Sequence, residues 1–276
     1  MTDRELAIKS VEYRRTLLRC IKRANAGHTG GDLSCIDILS VLYNRILNVS
    51  PDTFDDPGRD RYVQSKGHSV EALYVVLADK GFFPESDLET LCRCGSPYVG
   101  HPTRKVRGIE QNTGALGHGL AFSVGVALAG KMDSAAYRVY TLLGDGELAE
   151  GSNWESMLTA AHYRLDNLTA VVDRNTLQIT GCTEDVCALE SLRRKFEAFG
   201  WAVREVDGHD LNGLTDIFGA VPFEAGKPSM VIARTVKGKG ISFMENDAKW
   251  HHHVPTDEQY ERAQQELDRR LEEVQA

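Results

Sequence analysis

Apolar positions recur along this chain in two alternating rhythms, one near 3.6 residues and one a short continuous run. Leu6, Leu17, Leu18 and Ile21 share a helical face, and Thr2 with Glu5 has the spacing of a capping box. Gly27 is expected to stop that helix. His28 to Asp32 reads as a loop, and Leu33, Ile36, Leu39, Leu42, Tyr43 and Ile46 form one broad apolar face of a second helix. Pro51 to Pro57, rich in Asp, reads as a surface turn. Arg61 to Ser65 predicts a strand, Val70 to Asp79 a helix, and Ser86 with Glu89 the cap of another short helix. The run AFSVGVALAGK after Leu120 is rich in small residues and predicts a helix buried against close neighbours.

One stretch, Arg138 to Gly181, organises the rest. A β-run through Val139, Tyr140, Leu142 and Leu143 breaks at Gly144-Asp145-Gly146. A helix from about Gly151 to Tyr163 follows, then a second apolar run, Leu168 to Val172, ending at Asp173-Arg174-Asn175. Asp145 and Asn175 are 175 − 145 = 30 positions apart, about one βαβ unit. In a parallel sheet the two strand ends lie on one edge, where ligands of open α/β sheets bind. Beyond it come a helix (Leu189 to Phe199), a strand (Trp201 to Val206), a helix (Leu211 to Ala220) and a strand (Pro228 to Ala233). A glycine-rich loop around Lys237-Gly238-Lys239-Gly240 leads to Trp250-His251-His252-His253. Thr256 with Gln259 caps a last helix, with Tyr260, Ala263, Leu267, Leu271 and Val274 along its inner stripe. Alternating strands and helices without a long linker predict one α/β domain over residues 1–276, a doubly wound, mostly parallel sheet flanked by helices.

Composition narrows the function classes. The net charge of −8 makes a nucleic-acid or anionic-membrane surface unexpected. No run approaches the ~20 apolar residues of a membrane span. The six cysteines show neither CxxC nor zinc spacing, which fits reduced thiols, and the charged start MTDRELAIKS is unlike a signal peptide. The expected location is therefore the cytoplasm.

The chemistry concentrates at the two strand ends. One carboxylate and one amide are too few for an all-protein cation cage, but they suit Mg²⁺ that also takes phosphate oxygens, water and a backbone carbonyl. Gly144 and Gly146 would let a diphosphate approach the backbone near a helix N-terminus. A lone GDG is also a common turn, and Asn175 alone could be a cap, so the pairing at this spacing carries the reading.

At these residues the chain resembles the transketolase family. GDGELAEG followed by DRNTLQITG looks like the thiamine diphosphate motif, which opens on GDG and closes on Asn. The other matches keep the family order: AGHTGGDLS (Ala26 to Ser34), QSKGHSVEALY (Gln64 to Tyr74), Gly100 to Pro102, GIEQNTGALGHGL (Gly108 to Leu120), DGHD (Asp207 to Asp210), TVKGKGISFMEN (Thr235 to Asn246) and Trp250-His251. The resemblance implies thiamine diphosphate with Mg²⁺, or Ca²⁺ or Mn²⁺ in its place, and transfer of a two-carbon ketol unit between sugar phosphates. By motif position Asp145, Asn175 and the Leu177 carbonyl would ligate the metal. His68, Gly114, Ala115, Leu116, Gly146 and His251 would meet the cofactor. His28, His101 and His251 would meet the substrate, as imidazoles able to exchange protons near neutral pH. Glu150 resembles a glutamate that reaches toward a dimer interface. His252 and His253 have no counterpart and are expected to be solvated.

The resemblance covers only the family's N-terminal, diphosphate-binding part. The pyrimidine-binding part supplies the glutamate that activates the cofactor, so the expected partner is a complementary C-terminal subunit in an α2β2 assembly. A piece of a longer chain is the alternative. GHTG in place of GHPG, and His118 where the family has Gln, put the sugar in doubt. A 2-oxo-acid dehydrogenase subunit or part of a deoxyxylulose-phosphate synthase is the competing enzyme reading, and a non-enzymatic assembly protein is the third.

Overall fold

The computed structural model describes residues 1–276. Helix α1 (Asp3–Ala24) opens on the expected capping box: Glu5 N donates to the Thr2 hydroxyl and Thr2 N to the Glu5 carboxylate. It ends before Gly27, at Asn25, whose φ of 51° lies in the left-handed region that asparagine tolerates. Helix α2 (Thr29–Val41) follows at once, so residues 29–32 are its first turn and not the expected loop. Two adjacent glycines favour a loop by propensity. Packing overrides this, because a Cβ on Gly30 would sit 2.9 Å from the Trp250 carbonyl. Every residue of α2 is buried, so it is enclosed on all sides and has no single apolar face.

The sheet contains β1 (Arg61–Gln64), β2 (Val139–Gly144), β3 (Leu168–Arg174), β6 (Ala202–Asp207) and β7 (Ser229–Arg234). Their order across it is β1-β2-β3-β7-β6, and every pairing is parallel. The central strands β2 and β3 are buried throughout, which explains their unbroken apolar runs. Gly144 stands opposite Asp173, so Asp145 and Asn175 leave the same edge side by side, as the spacing predicts.

Helices cover both faces. Against one lie α1, α2, α3 (Val70–Asp79), α8 (Leu211–Gly219) and α9 (Asp257–Gln275), packed on Leu142, Val171 and Ala233. Against the other lie α4 (His118–Met132), α5 (Gly151–His162) and α7 (Leu192–Ala198), packed on Leu143, Val172 and Ile232. The stripe of α9 meets the first core through buried Ala263 and Leu267 and half-buried Tyr260 and Leu271.

Two local expectations fail. The helix expected at Leu189 begins at Leu192, and the Ser86–Glu89 box is absent because Glu85–Thr90 is a 3₁₀ turn entered through Pro84. The small-residue helix α4 packs closely on one face, as expected: a Cβ on Gly119 would lie 2.4 Å from Ser65 Oγ and one on Gly130 2.8 Å from Tyr137, while on the other face Ala121, Gly125 and Ala129 are exposed and Met132 is 78% exposed. After β3 the chain forms an unforeseen hairpin, β4 (Leu177–Gln178) antiparallel to β5 (Gly181–Cys182), then the single turn α6 (Thr183–Val186). All six cysteines are free, and no helix is long and apolar enough to cross a membrane.

Candidate active site

A cleft of 410 Å³ opens at the carboxyl edge of β2 and β3, between the β4–β5 hairpin and the starts of α2 and α3. One pole holds Asp145, Asn175 and Leu177. Asp145 is 2% exposed; its Oδ1 accepts from Gly146 N at 2.8 Å, and its Oδ2 from Thr176 N at 2.6 Å and Arg174 Nη1 at 3.1 Å. Burial, and then the nearby Asp173 charge, raise its pKa above the ordinary aspartate value. Asn175 Oδ1 accepts from Leu177 N at 3.1 Å, and the Leu177 carbonyl accepts from Lys237 Nζ at 3.2 Å. Gly146 therefore gives its N–H to Asp145 and not to open space.

The opposite pole is a wall of imidazoles. The His28 ring centroid lies 5.3 Å from that of His68, 5.7 Å from His251, 6.1 Å from His101 and 4.6 Å from His252. His28 is the last residue before α2, and His68 sits in the 3₁₀ turn that enters α3. His251 belongs to a 3₁₀ turn, Ala248–His252, held against α2 by Thr29 Oγ1, which donates to the His253 carbonyl at 2.6 Å. His101 is on the outer rim, where its ring packs on Gly114. Only glycine fits there, because Gly114 has φ 132° and a Cβ would lie 2.5 Å from His101 Cδ2.

Burial dominates the proton affinity of this wall. It pushes His28 down to about 3 and His251 down to about 4, with neighbouring cations and imidazoles adding to the effect. His68 and His101 are lowered by the same cause. The expectation of groups titrating near neutrality is thus corrected. These are neutral imidazoles at pH 7, each with one N–H and one lone pair. Nδ1 of His28 and Nδ1 of His251 have no protein partner, so no protein hydrogen bond at Nδ1 fixes either tautomer.

Two lysines complete the cleft. Lys66 is 1% exposed; its ammonium bonds to Asp173 and to the Gly31 carbonyl at 3.0 Å. Lys237 is 2% exposed and has no carboxylate partner, so burial and then the Lys66 charge lower it to about 8. Glu147, 2% exposed, ties the loops together: it accepts from Ser65 Oγ, from Gly117 N at 2.9 Å and from Gly144 N at 3.0 Å. His209 holds the lysine loop, since Val236 N donates to its Nε2 at 2.9 Å and its Nδ1 lies 2.8 Å from Asp37 Oδ2.

Comparison with known proteins agrees with this geometry. The family model for "Transketolase, thiamine diphosphate binding domain" matches residues 7–270. The chain belongs to the transketolase family. It is 50% identical to one subunit of the apulose-4-phosphate transketolase of Phocaeicola vulgatus, over 98% of this chain and 96% of that one. It is 41% identical to a subunit of the 6-deoxy-6-sulfo-D-fructose transketolase of Clostridium sp. (strain MSTE9), over 93% and 94%. The solved transketolase of Campylobacter jejuni superposes with a TM-score of 0.87 at 30% identity, covering 97% of this chain and 43% of its own. The chain thus spans less than half of that longer transketolase and nearly all of the two subunits.

Most of the residues expected from the transketolase resemblance gather in the cleft: His28, His68, Gly114, Leu116, Asp145, Gly146, Asn175, Leu177 and His251 line it. Ala115 is exposed and outside the lining, and His101 borders it from the rim. Glu150 is exposed at the start of α5 and packs on Gly117. His252 and His253 are exposed as expected, yet His252 also packs on His28 and so joins the wall. Lys66, Lys237, Glu147, Gln178 and Ile179 were not anticipated. The signal for the lysines was their place at a strand end and in a glycine-rich loop.

The donor set fits the cofactor of this domain family. The cleft offers one buried cation without a carboxylate partner, Lys237, for diphosphate. No group of three or more His, Cys, Asp or Glu could hold a metal alone.

Proposed function

We propose that this chain is the diphosphate-binding subunit of a two-chain transketolase that moves a ketol unit from a ketose phosphate to an aldose phosphate. The observation that carries the reading is a single cleft with a carboxylate–amide pair at one pole and neutral histidines at the other. Asp145, Asn175 and the Leu177 carbonyl would hold Mg²⁺, or Mn²⁺ or Ca²⁺, and Lys237 would turn from Leu177 to the diphosphate. Thiamine diphosphate, when bound, supplies the carbanion chemistry that a ketol transfer requires.

The chain's own residues bind and orient. Glu147 holds Gly117 and Gly144 in place so that the loops at Gly114 to Leu116 and at Asp145 face one another. His28 and His251 present neutral rings without a fixed tautomer, suited to donating to a sugar oxygen in one step and accepting from it in the next. His101 closes the rim, where a sugar would enter.

The missing function is activation of the cofactor's aminopyrimidine. The carboxylates that line the cleft, Asp145 and Glu147, are both held by backbone donors, so a partner subunit must supply the activating group. An α2β2 assembly with a complementary C-terminal subunit, in the cytoplasm, accounts for this. The exposed α4 face of Ala121, Gly125, Ala129 and Met132, with Ile179 72% exposed on the hairpin, gives that partner an apolar surface to cover.

The relative with 50% identity is named for apulose 4-phosphate, so the donor proposed here is a ketose phosphate of that kind. With the assembled enzyme, kcat/KM would be compared for apulose 4-phosphate, 6-deoxy-6-sulfo-D-fructose and an unbranched ketose phosphate. The reading expects the first to be preferred. Preference for either of the others would reassign the sugar and leave the reaction class standing.

A further inference from the structure

Asp32 and Glu71 lie beneath the histidine wall and have no part in the chemistry above. Asp32 is in the first turn of α2, four residues after His28; Glu71 is in the first turn of α3, three residues after His68. They are 0% and 1% exposed and face one another. Asp32 Oδ1 accepts from Ala72 N at 2.9 Å, which ties the start of α3 to α2. Asp32 Oδ2 and both Glu71 oxygens have no hydrogen-bond partner. Glu71 also backs the rim loop: a Cβ on Gly100, beside His101, would be 3.9 Å from its Oε1.

Two buried carboxylates in contact, without a bound cation, cannot both stay ionised. Among the surrounding titratable groups, only the Lys66 charge favours an ionised Asp32. Lys66 is committed to Asp173, and Cys35, Tyr74 and Cys92 are neutral with raised pKa values. His28 and His68 are held neutral by burial. The Ala72 N–H and the N-terminal end of α3 favour one negative charge on Asp32.

We infer that Asp32 and Glu71 share one proton at neutral pH, and that this acid–carboxylate pair is a positioning brace for the His28, His68 and His101 loops. Burial, and for Glu71 the adjacent Asp32 charge, raise both groups, in the direction this arrangement requires. Loss of the proton would leave like charges in contact and separate the starts of α2 and α3. The functional part of the inference rests on the transketolase reading; the proton itself does not.

Unfolded carboxyls release protons near pH 4, whereas the folded pair keeps one, so stability falls as pH rises above that value. Each retained proton raises the unfolding constant about tenfold per pH unit until the folded pair ionises. Urea unfolding of the chain alone, from pH 5 to 9, would compare wild type with Glu71→Gln and, independently, Asp32→Asn. The brace predicts a shallower alkaline loss in both variants. Parallel profiles in every variant that folds would overturn the shared proton. In the assembled enzyme, donor KM would rise more steeply with pH in wild type than in Glu71→Gln. A shallower stability profile with an unchanged KM profile would overturn the positioning role alone. If neither variant folds, the infrared carbonyl band of a protonated acid, titrated in the wild-type chain alone, decides: a band lost on alkaline titration supports the brace, and its absence at pH 7 overturns it.

Discussion

Lys237 Nζ donates to the Leu177 carbonyl oxygen at 3.2 Å, the oxygen proposed for the metal. The ammonium is buried without a carboxylate, so it is available to an incoming anion. Lys237→Met should weaken thiamine diphosphate binding in the two-chain assembly by about 10–100-fold, the value of one charge-assisted hydrogen bond of about 1.5–3 kcal/mol. Calorimetry with Mg²⁺ present measures it. An unchanged affinity would remove Lys237 from the diphosphate site.

Asp145→Ala should abolish Mg²⁺-dependent cofactor binding while the chain still folds. Arg174 keeps Glu184 at 2.8 Å and Glu190 at 3.2 Å, so its charge is not stranded. The orphaned Thr176 N–H costs about 1–3 kcal/mol. Titration of cofactor with and without Mg²⁺, beside a thermal melt, separates the two effects; retained Mg²⁺-dependent binding contradicts the assignment.

The position of the site was legible before its walls were. Asp145 and Asn175 could be placed together because parallel strands share an edge, and the register of Gly144 with Asp173 bears that out. The helical start of α2 was not legible, because Thr29-Gly30-Gly31 has loop propensity and is made helical by Trp250 and Lys237 packed on Gly30. The β4–β5 hairpin was missed because its strands are two residues each, below any detectable alternation. The neutrality of the histidines was also invisible, since it comes from burial among one another and not from their local sequence.

His28→Ala should lower kcat/KM for ketol transfer by about 10²–10⁴-fold, the range for a positioned proton-transfer group, with cofactor affinity little changed. A second signature lies in the isolated chain. Burial lowers His28 to about 3, whereas an unfolded histidine takes a proton near pH 6.5. The unfolded state then binds more protons, so stability is lost as pH falls from 6.5 toward the folded value. Urea unfolding from pH 7 to 4.5 should show a smaller acid loss in His28→Gln than in wild type; superimposable curves would contradict the buried neutral ring.

Glu147→Ala removes the shared acceptor of Ser65 Oγ, Gly117 N and Gly144 N. At about 1–3 kcal/mol for each orphaned buried donor, the loss should reach about 3 kcal/mol or more. A denaturant midpoint shift equivalent to less than about 1 kcal/mol would mean that solvent replaces the carboxylate, and that the loops are not held by it.

The proposed function turns on this chain carrying half of a ketol-transfer site. The direct measurement is ketol transfer from a ketose phosphate with thiamine diphosphate and Mg²⁺, by the purified chain alone and after mixing with its complementary partner. The expected result is no turnover alone and turnover after mixing, lost again in Asp145→Ala. Equal turnover by the chain alone would show that the site is complete without a partner.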